Sequence, residues 1–176
     1  MKVALTGGIA CGKSLLSLYL NRLGIETVDA DDIVHELVPA DERRRLARTV
    51  FADPAARRAL ESRLHPVVRR RILEALDAAE REGRIRIAVV PLLFEVHWDG
   101  IFDIICCVRS SRELQISRMT GKRGYTREEA EARLAAQLPV DEKAGKSHYV
   151  IDNDGTAEGL MAKARDFADW LKRQVR

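Results

Sequence analysis

Gly7-Gly8-Ile9-Ala10-Cys11-Gly12-Lys13-Ser14 follows the apolar run Val3 to Leu5 and precedes a leucine-rich stretch. The pattern G-x-x-x-x-G-K-[ST] suits a phosphate group. Its glycines let the backbone wrap an anion with N–H groups turned inward, and the helix that follows points its positive end at the same charge. Lys13 would reach the β and γ phosphates of a nucleotide, and the Ser14 hydroxyl would hold Mg²⁺. Gly7 to Ser14, with the backbone N–H of Leu15 behind them, form the candidate ATP-binding loop. At this chain's own residue frequencies the pattern is expected about 0.002 times by chance. A tight turn that merely contains Lys-Ser is therefore the weaker explanation.

A second group stands at Asp29-Ala30-Asp31-Asp32, where a second strand should end on the same sheet edge as the phosphate loop. A carboxylate there can accept the proton of a hydroxyl nucleophile or orient it for in-line attack. Asp31 or Asp32 equally suits the cap of a following helix, and position alone does not separate these readings. Arg118 and the basic turn Gly121-Lys122-Arg123-Gly124 form a third group. Arg118 and Lys122 would neutralise a transferring phosphoryl group, or they are solvated charges that suit a helix C-terminus. A phosphate loop by itself does not choose between a kinase, a GTPase and a motor. The chain has no Asn-Lys-x-Asp guanine-reading motif and is short for most ATPase motors, so a small-molecule kinase is the natural class.

The elements that must hold these residues can be read from periodicity. Short apolar runs at Val3–Leu5, Ile25–Val28, Ile85–Phe94, Phe102–Val108 and Tyr149–Ile151 predict five strands. Helical spacing separates them: Leu15 to Leu23 closed by Gly24, Arg112 to Thr120, and Leu160 to Leu171. Thr126-Arg127-Glu128-Glu129 reads as a capping box opening a further helix. Strands alternating with helices predict an α/β fold: a three-layer sandwich around a five-stranded parallel sheet. The stretch 32–82 is helical and charged, broken at Pro39, Pro54 and Pro66, and contains no strand. It is expected to stand apart from the sheet as a lobe.

A length of 176 residues predicts one compact domain, or a core with a small insertion. Thirty Lys and Arg against 27 Asp and Glu leave a charge of +3, too small and too evenly interleaved for a nucleic-acid coat. Hydrophobic residues at 46% and charged residues at 32% exclude disorder. No run approaches the roughly eighteen apolar residues of a spanning helix, so no membrane is expected as a partner. The start Met1 to Thr6 lacks the apolar stretch of a signal peptide. Cys11, Cys106 and Cys107 make neither a metal spacing nor a disulfide framework. A reducing, cytoplasmic setting is expected.

These motifs, together with His65-Pro66, Pro91-Leu-Leu-Phe-Glu95, Gln137 and Ile151-Asp-Asn-Asp-Gly155, come in the order and approximate spacing of the dephospho-CoA kinases. The chain resembles that family over nearly its whole length. The resemblance implies a P-loop, nucleoside-monophosphate-kinase-like core with a helical CoA-binding lobe and a small lid. It also implies transfer of the ATP γ-phosphate to the ribose 3′-hydroxyl of dephospho-CoA, the last step of coenzyme A synthesis, with Mg²⁺ as the metal. On that basis residues 1–31 and 83–176 are the core, about 118–127 the lid, and 32–82 the acceptor-binding lobe. Asp31 becomes the candidate base, supported by Asp29, while Glu95 and the backbone of Pro91 and Leu92 line the acceptor side. His65 would belong to the lobe, and Asn153 and Gly155 to the loop that meets adenine. Blander readings stand beside each role: His65 as a helix-start histidine before an N1 proline, Glu95 as a solvated strand-end carboxylate, and Asp152 to Gly155 as an ordinary turn. The partners are then ATP and dephospho-CoA, with no nucleic acid and no membrane, for a monomer or weak homo-oligomer.

The sequence departs from the family at four places. Between Val38 and Arg43 only Pro39-Ala-Asp-Glu42 stands where the family usually has a further helical stretch. Leu15 replaces a usual second hydroxyl. Val89 and Val90 stand where a Walker B aspartate would be, and Lys122-Arg123 replaces a typical Arg-Asp. The first departure bears on the acceptor, whose diphosphate Arg43, Arg44, Arg45, Arg57, Arg58, Arg69, Arg70 and Arg71 would grip if they are not solvated helix faces. Two other functions fit the same core: another nucleoside or nucleotide kinase, or a nucleotide-binding regulatory module without transfer.

Overall fold

The computed structural model describes residues 1–38 and 54–174. Pro39 to Glu42 and Arg43, Arg44 and Arg45 lie outside the described residues, as do the side chains of Arg57 and Arg58. Among the described residues five apolar runs form β1 (Val3–Gly7), β2 (Glu26–Asp29), β3 (Arg86–Val89), β4 (Ile104–Arg109) and β5 (Tyr149–Asp152). They pair in the order β2-β3-β1-β4-β5, every pair parallel. The helices are α1 (Lys13–Arg22), α2 (Ala30–Leu37), α3 (Pro54–Arg81), α4 (Arg112–Arg123), α5 (Arg127–Ala135), α6 (Val140–Gly145) and α7 (Ala157–Gln174). None of them is long and apolar enough to cross a membrane.

Alternation along each strand divides the core into two layers. Val3 and Leu5 face one side, where Leu16 and Leu20 of α1 and Phe167 and Leu171 of α7 close over them. Ala4, Ala88 and Ile105 face the other side, against Ile33 of α2 and Val68, Ile72 and Leu76 of α3. A parallel sheet covered on both faces needs such apolar strands. Full burial of a side chain such as Leu5 or Leu20 contributes about 2 kcal/mol.

Three expectations change. The third strand stops at Val89, the fifth residue of the expected ten-residue run Ile85–Phe94. Val90 still donates to the carbonyl of Leu5, but Pro91 has no N–H with which to continue pairing, and turns follow. Second, Pro66 does not break its helix: α3 runs through it, with Val68, Ile72, Leu76 and Ala79 buried on one face. That face also places the second half of α3 on the sheet, so this part of 32–82 belongs to the core layer rather than to a separate lobe. Third, Lys122 and Arg123 form the last turn of α4, which ends at Gly124 with φ +69°. They are helix residues and not a loop.

Candidate active site

All the strands run parallel, so their C-terminal ends share one edge, and a cavity of about 720 Å³ lies there. Its floor is the phosphate loop between β1 and α1. Gly7 leaves the sheet at φ +142°, and a Cβ there would stand 2.2 Å from the carbonyl oxygen of Val108. Gly12, at φ +100°, caps α1 without a side-chain hydrogen bond. The N–H groups of Lys13, Ser14 and Leu15 have no partner among the described residues, and the first turn carries no acid. A helix start left in this state attracts an anion.

Side chains from distant elements hold the loop in shape. Gln115 Nε2 donates to the carbonyl of Ile9 (2.6 Å), Arg118 to that of Ala10 (3.1 Å), and Asn153 Nδ2 to that of Cys11 (2.8 Å). Three successive carbonyls are thus engaged, and the Ile9 N–H is taken by Gln137 Oε1 at 3.2 Å. Ala10 sits at φ +58°, a strained position for a residue with a Cβ. The surrounding bonds sustain it.

The Lys13 ammonium donates to the carbonyls of Gly7 and Gly8, at 2.9 Å each, which leaves its third N–H for an anion. Burial lowers its pKa; the Lys143 ammonium adds to that, and the Asp31 carboxylate opposes it. Across the cavity Asp29 ends β2 and caps α2, its Oδ1 accepting from the Asp31 N–H at 2.8 Å. Burial pushes the Asp29 carboxyl above its ordinary pKa, while the hydrogen bond from Asp31 N–H holds it down. The cap expected of Asp31 or Asp32 is therefore made by Asp29, and the exposed Asp31 carboxylate stands on the cavity wall.

The cavity gathers most of the expected residues and leaves others out. Ile9, Ala10, Gly12, Lys13, Ser14, Leu15, Asp29, Asp31, Pro91, Arg118, Lys122, Asn153 and Gly155 line it. Gly7, Gly8 and Cys11 lie buried beneath the loop. Leu92, Glu95 and His65 do not line it. Leu92 is exposed, and the His65 ring meets the edge of Trp98 with centroids 5.8 Å apart. Glu95 pairs with the fully buried Lys143 (Nζ to Oε1, 2.6 Å), and its Oε1 accepts from the Leu138 N–H. It is not a solvated strand-end carboxylate. The Arg118 guanidinium is bonded to Ala10 O, Ser110 Oγ and Asn153 O. Lys122 and Arg123 line the cavity from the end of α4 with no hydrogen bond to the described residues.

Sequence reasoning missed Gln115 and Lys143, which act through bonds to backbone more than 50 positions away and leave no local pattern. For a metal, the Ser14 hydroxyl is exposed at the start of α1, with Asp29 and Asp31 on the same cavity. Hard oxygen donors in small number suit Mg²⁺, which takes its remaining ligands from phosphates and water. No cluster of three or more His, Cys, Asp or Glu able to hold a metal occurs among the described residues.

A phosphate loop at the end of the central strand of a parallel sheet, facing a carboxylate from the edge strand, defines a P-loop kinase of the small-molecule class. The dephospho-CoA kinase family model matches residues 1–43 and 40–159, and the chain belongs to that family. Its two pieces overlap at residues 40–43. The dephospho-CoA kinase of Geobacter metallireducens is 41% identical over 179 residues, 89% of each chain. That of Geobacter sulfurreducens is 36% identical over 97% of this chain and 98% of its own. Among solved structures, TT1252 from Thermus thermophilus is 33% identical, with TM-score 0.79 over 96% of this chain and 97% of its own. Dephospho-CoA kinase from Campylobacter jejuni shares the fold, at TM-score 0.76 and 24% identity over the whole of both chains.

Proposed function

We propose that this chain transfers the γ-phosphate of ATP to the ribose 3′-hydroxyl of dephospho-CoA, the last step of coenzyme A synthesis, directly and without a covalent enzyme intermediate. The observation that carries the reading is the single cavity shared by Lys13, on the phosphate loop, and Asp31, at the facing strand end. The loop N–H groups and Lys13 hold the β and γ phosphates. Asp31 accepts the proton of the 3′-hydroxyl as its oxygen bonds to phosphorus, and the bond from γ-phosphorus to the bridging oxygen breaks to release ADP. Ser14 would hold Mg²⁺, which neutralises charge across the β and γ oxygens when bound.

Lys122 supplies a cation to the transferring group from the lid, about 118–127; its place on the cavity without a bonded partner among the described residues supports this. Arg118 acts on the same group from beneath, through the Ala10 peptide that it holds. Asn153 and Gly155 belong to the nucleotide side; the Asn153 side chain shapes the loop, since its amide is bonded to Cys11 O. Asp29 positions Asp31 through its cap. Pro91 and Leu92 belong to the acceptor side, with Glu95 behind them and His65 on α3. Residues 32–82, apart from the buried half of α3, form the acceptor-binding insertion. We take the chain to act as a monomer or weak homo-oligomer whose partners are the two small-molecule substrates. The free, buried Cys11, Cys106 and Cys107 fit a reducing cytoplasm.

The test is ADP release from ATP-Mg²⁺ by the purified protein with dephospho-CoA, adenosine or AMP as acceptor. Stimulation by dephospho-CoA alone, with CoA as product, is the expected result. Stimulation by another acceptor only would assign the chain to a different kinase activity, and acceptor-independent slow hydrolysis would make it a nucleotide-binding module without transfer.

A further inference from the structure

Among the described residues, Lys143 is the charged side chain with no exposure at all. From α6 its Nζ donates to Glu95 Oε1 at 2.6 Å and to the Pro91 carbonyl at 2.9 Å. The Thr6 hydroxyl donates to the same carbonyl at 3.3 Å. Glu95 Oε1 also accepts from the Leu138 N–H at 3.0 Å, and the neighbouring Gln137 accepts the Ile9 N–H at 3.2 Å. One ion pair between a fully buried lysine and a mostly buried glutamate therefore ties the peptide at the end of β3 to the segment that steadies the phosphate loop. Pro91 and Ile9 both line the cavity; Lys143 and Glu95 do not.

Stability alone does not account for such a pair. Desolvating two charges is costly, and apolar residues of similar volume are often as good or better. Glu95 Oε2 is buried with no hydrogen-bond partner among the described residues, so the arrangement is not the best one for stability. It does fix two backbone groups of the cavity lining, at the ends of the adjacent strands β3 and β1, relative to each other.

We infer that Lys143 and Glu95 are positioning residues for phosphoryl transfer, which set the Pro91 peptide and, through Leu138 and Gln137, the Ile9 amide in register with each other on the cavity wall. The inference rests on the function proposed above. In-line transfer is sensitive to such register, because a misplacement of about 1 Å can cost roughly 100-fold in rate. The pair touches no reacting atom, so its effect should fall on kcat and spare the KM for ATP.

The test compares Lys143→Met, Glu95→Leu and the double variant. Each single variant leaves one buried charge without its partner, and its Tm should fall by roughly 10 °C. The double variant leaves no charge and should melt above both singles. Its kcat should nevertheless stay about 100-fold low, with KM for ATP near the wild-type value. Amide exchange at Ile9 should be faster in the double variant while Val3 to Leu5 stay protected. Recovery of kcat together with Tm would make the pair merely structural and overturn the inference, as would unchanged protection at Ile9. The exchange measurement needs no acceptor. A wild type that did not turn over dephospho-CoA would count against the proposed function, and Ile9 exchange would still decide the positioning role.

Discussion

Asp29 and Asp31 are two residues apart and differ in everything their carboxylates do. Asp29 is half-buried and bonded to the Asp31 N–H, so its oxygen is engaged and its pKa raised by burial. Asp31 is exposed on the same cavity as Lys13, its carboxylate without a bonded partner among the described residues and its backbone fixed by that cap. Replacing Asp31 by Asn keeps the shape and removes the proposed proton acceptor. We expect kcat to fall by roughly 10²–10⁴-fold, with the calorimetric Kd for ATP unchanged; an unchanged kcat would remove Asp31 from the chemistry. The sequence separated these residues from the background because their spacing from the strand end is local. It could not say which one caps. Nor could it find that Asn153 faces the Cys11 carbonyl, a bond across 142 positions, or that Gln115 reaches Ile9 across 106. Bonds from a side chain to a distant backbone follow from the fold and have no periodicity of their own.

Elements were legible where a local rule governs them and were misread where packing overrides it. Thr126 and Glu129 form the full capping box that their spacing announced: Thr126 Oγ1 accepts from the Glu129 N–H, and Glu129 Oε2 accepts from the Thr126 N–H. Pro66 gave the opposite result: α3 continues through it, and the apolar face of Val68, Ile72 and Leu76 holds the half that follows on the sheet. The run Ile85 to Phe94 reads as one apolar block, yet it is a short strand followed by turns whose buried Leu93 and Phe94 join the core. The capping box allows a quantitative check. Thr126→Ala removes one side of it and should cost about 1 kcal/mol, which is about 3 °C in Tm for a chain of this size. A thermal melt followed by circular dichroism reads this, and Thr126→Ser should restore it. No change in Tm would mean that α5 is held by its packing on α4 rather than by its cap.

At the scale of the whole molecule, the two sides of the cavity are carried by elements on different parts of the sheet. Asp29 and Asp31 belong to the β2 edge with α2, whereas Lys122 and Arg123 end α4 beyond β4. The phosphate loop between them is bonded on three successive carbonyls and so forms the rigid part. The proposed lid is different in kind. Lys122 and Arg123 are exposed, and α4 stops at Gly124, whose left-handed φ of +69° suits a joint. A kinase that left its γ-phosphate accessible to water would hydrolyse ATP, so we expect the charges on this arm to come inward when both substrates are bound. Small-angle scattering should then show a smaller radius of gyration with a non-hydrolysable ATP analogue and dephospho-CoA together than with either alone. Equal radii in all three states would mean that Lys122 meets the phosphate without closure, and that water is excluded by the substrates themselves.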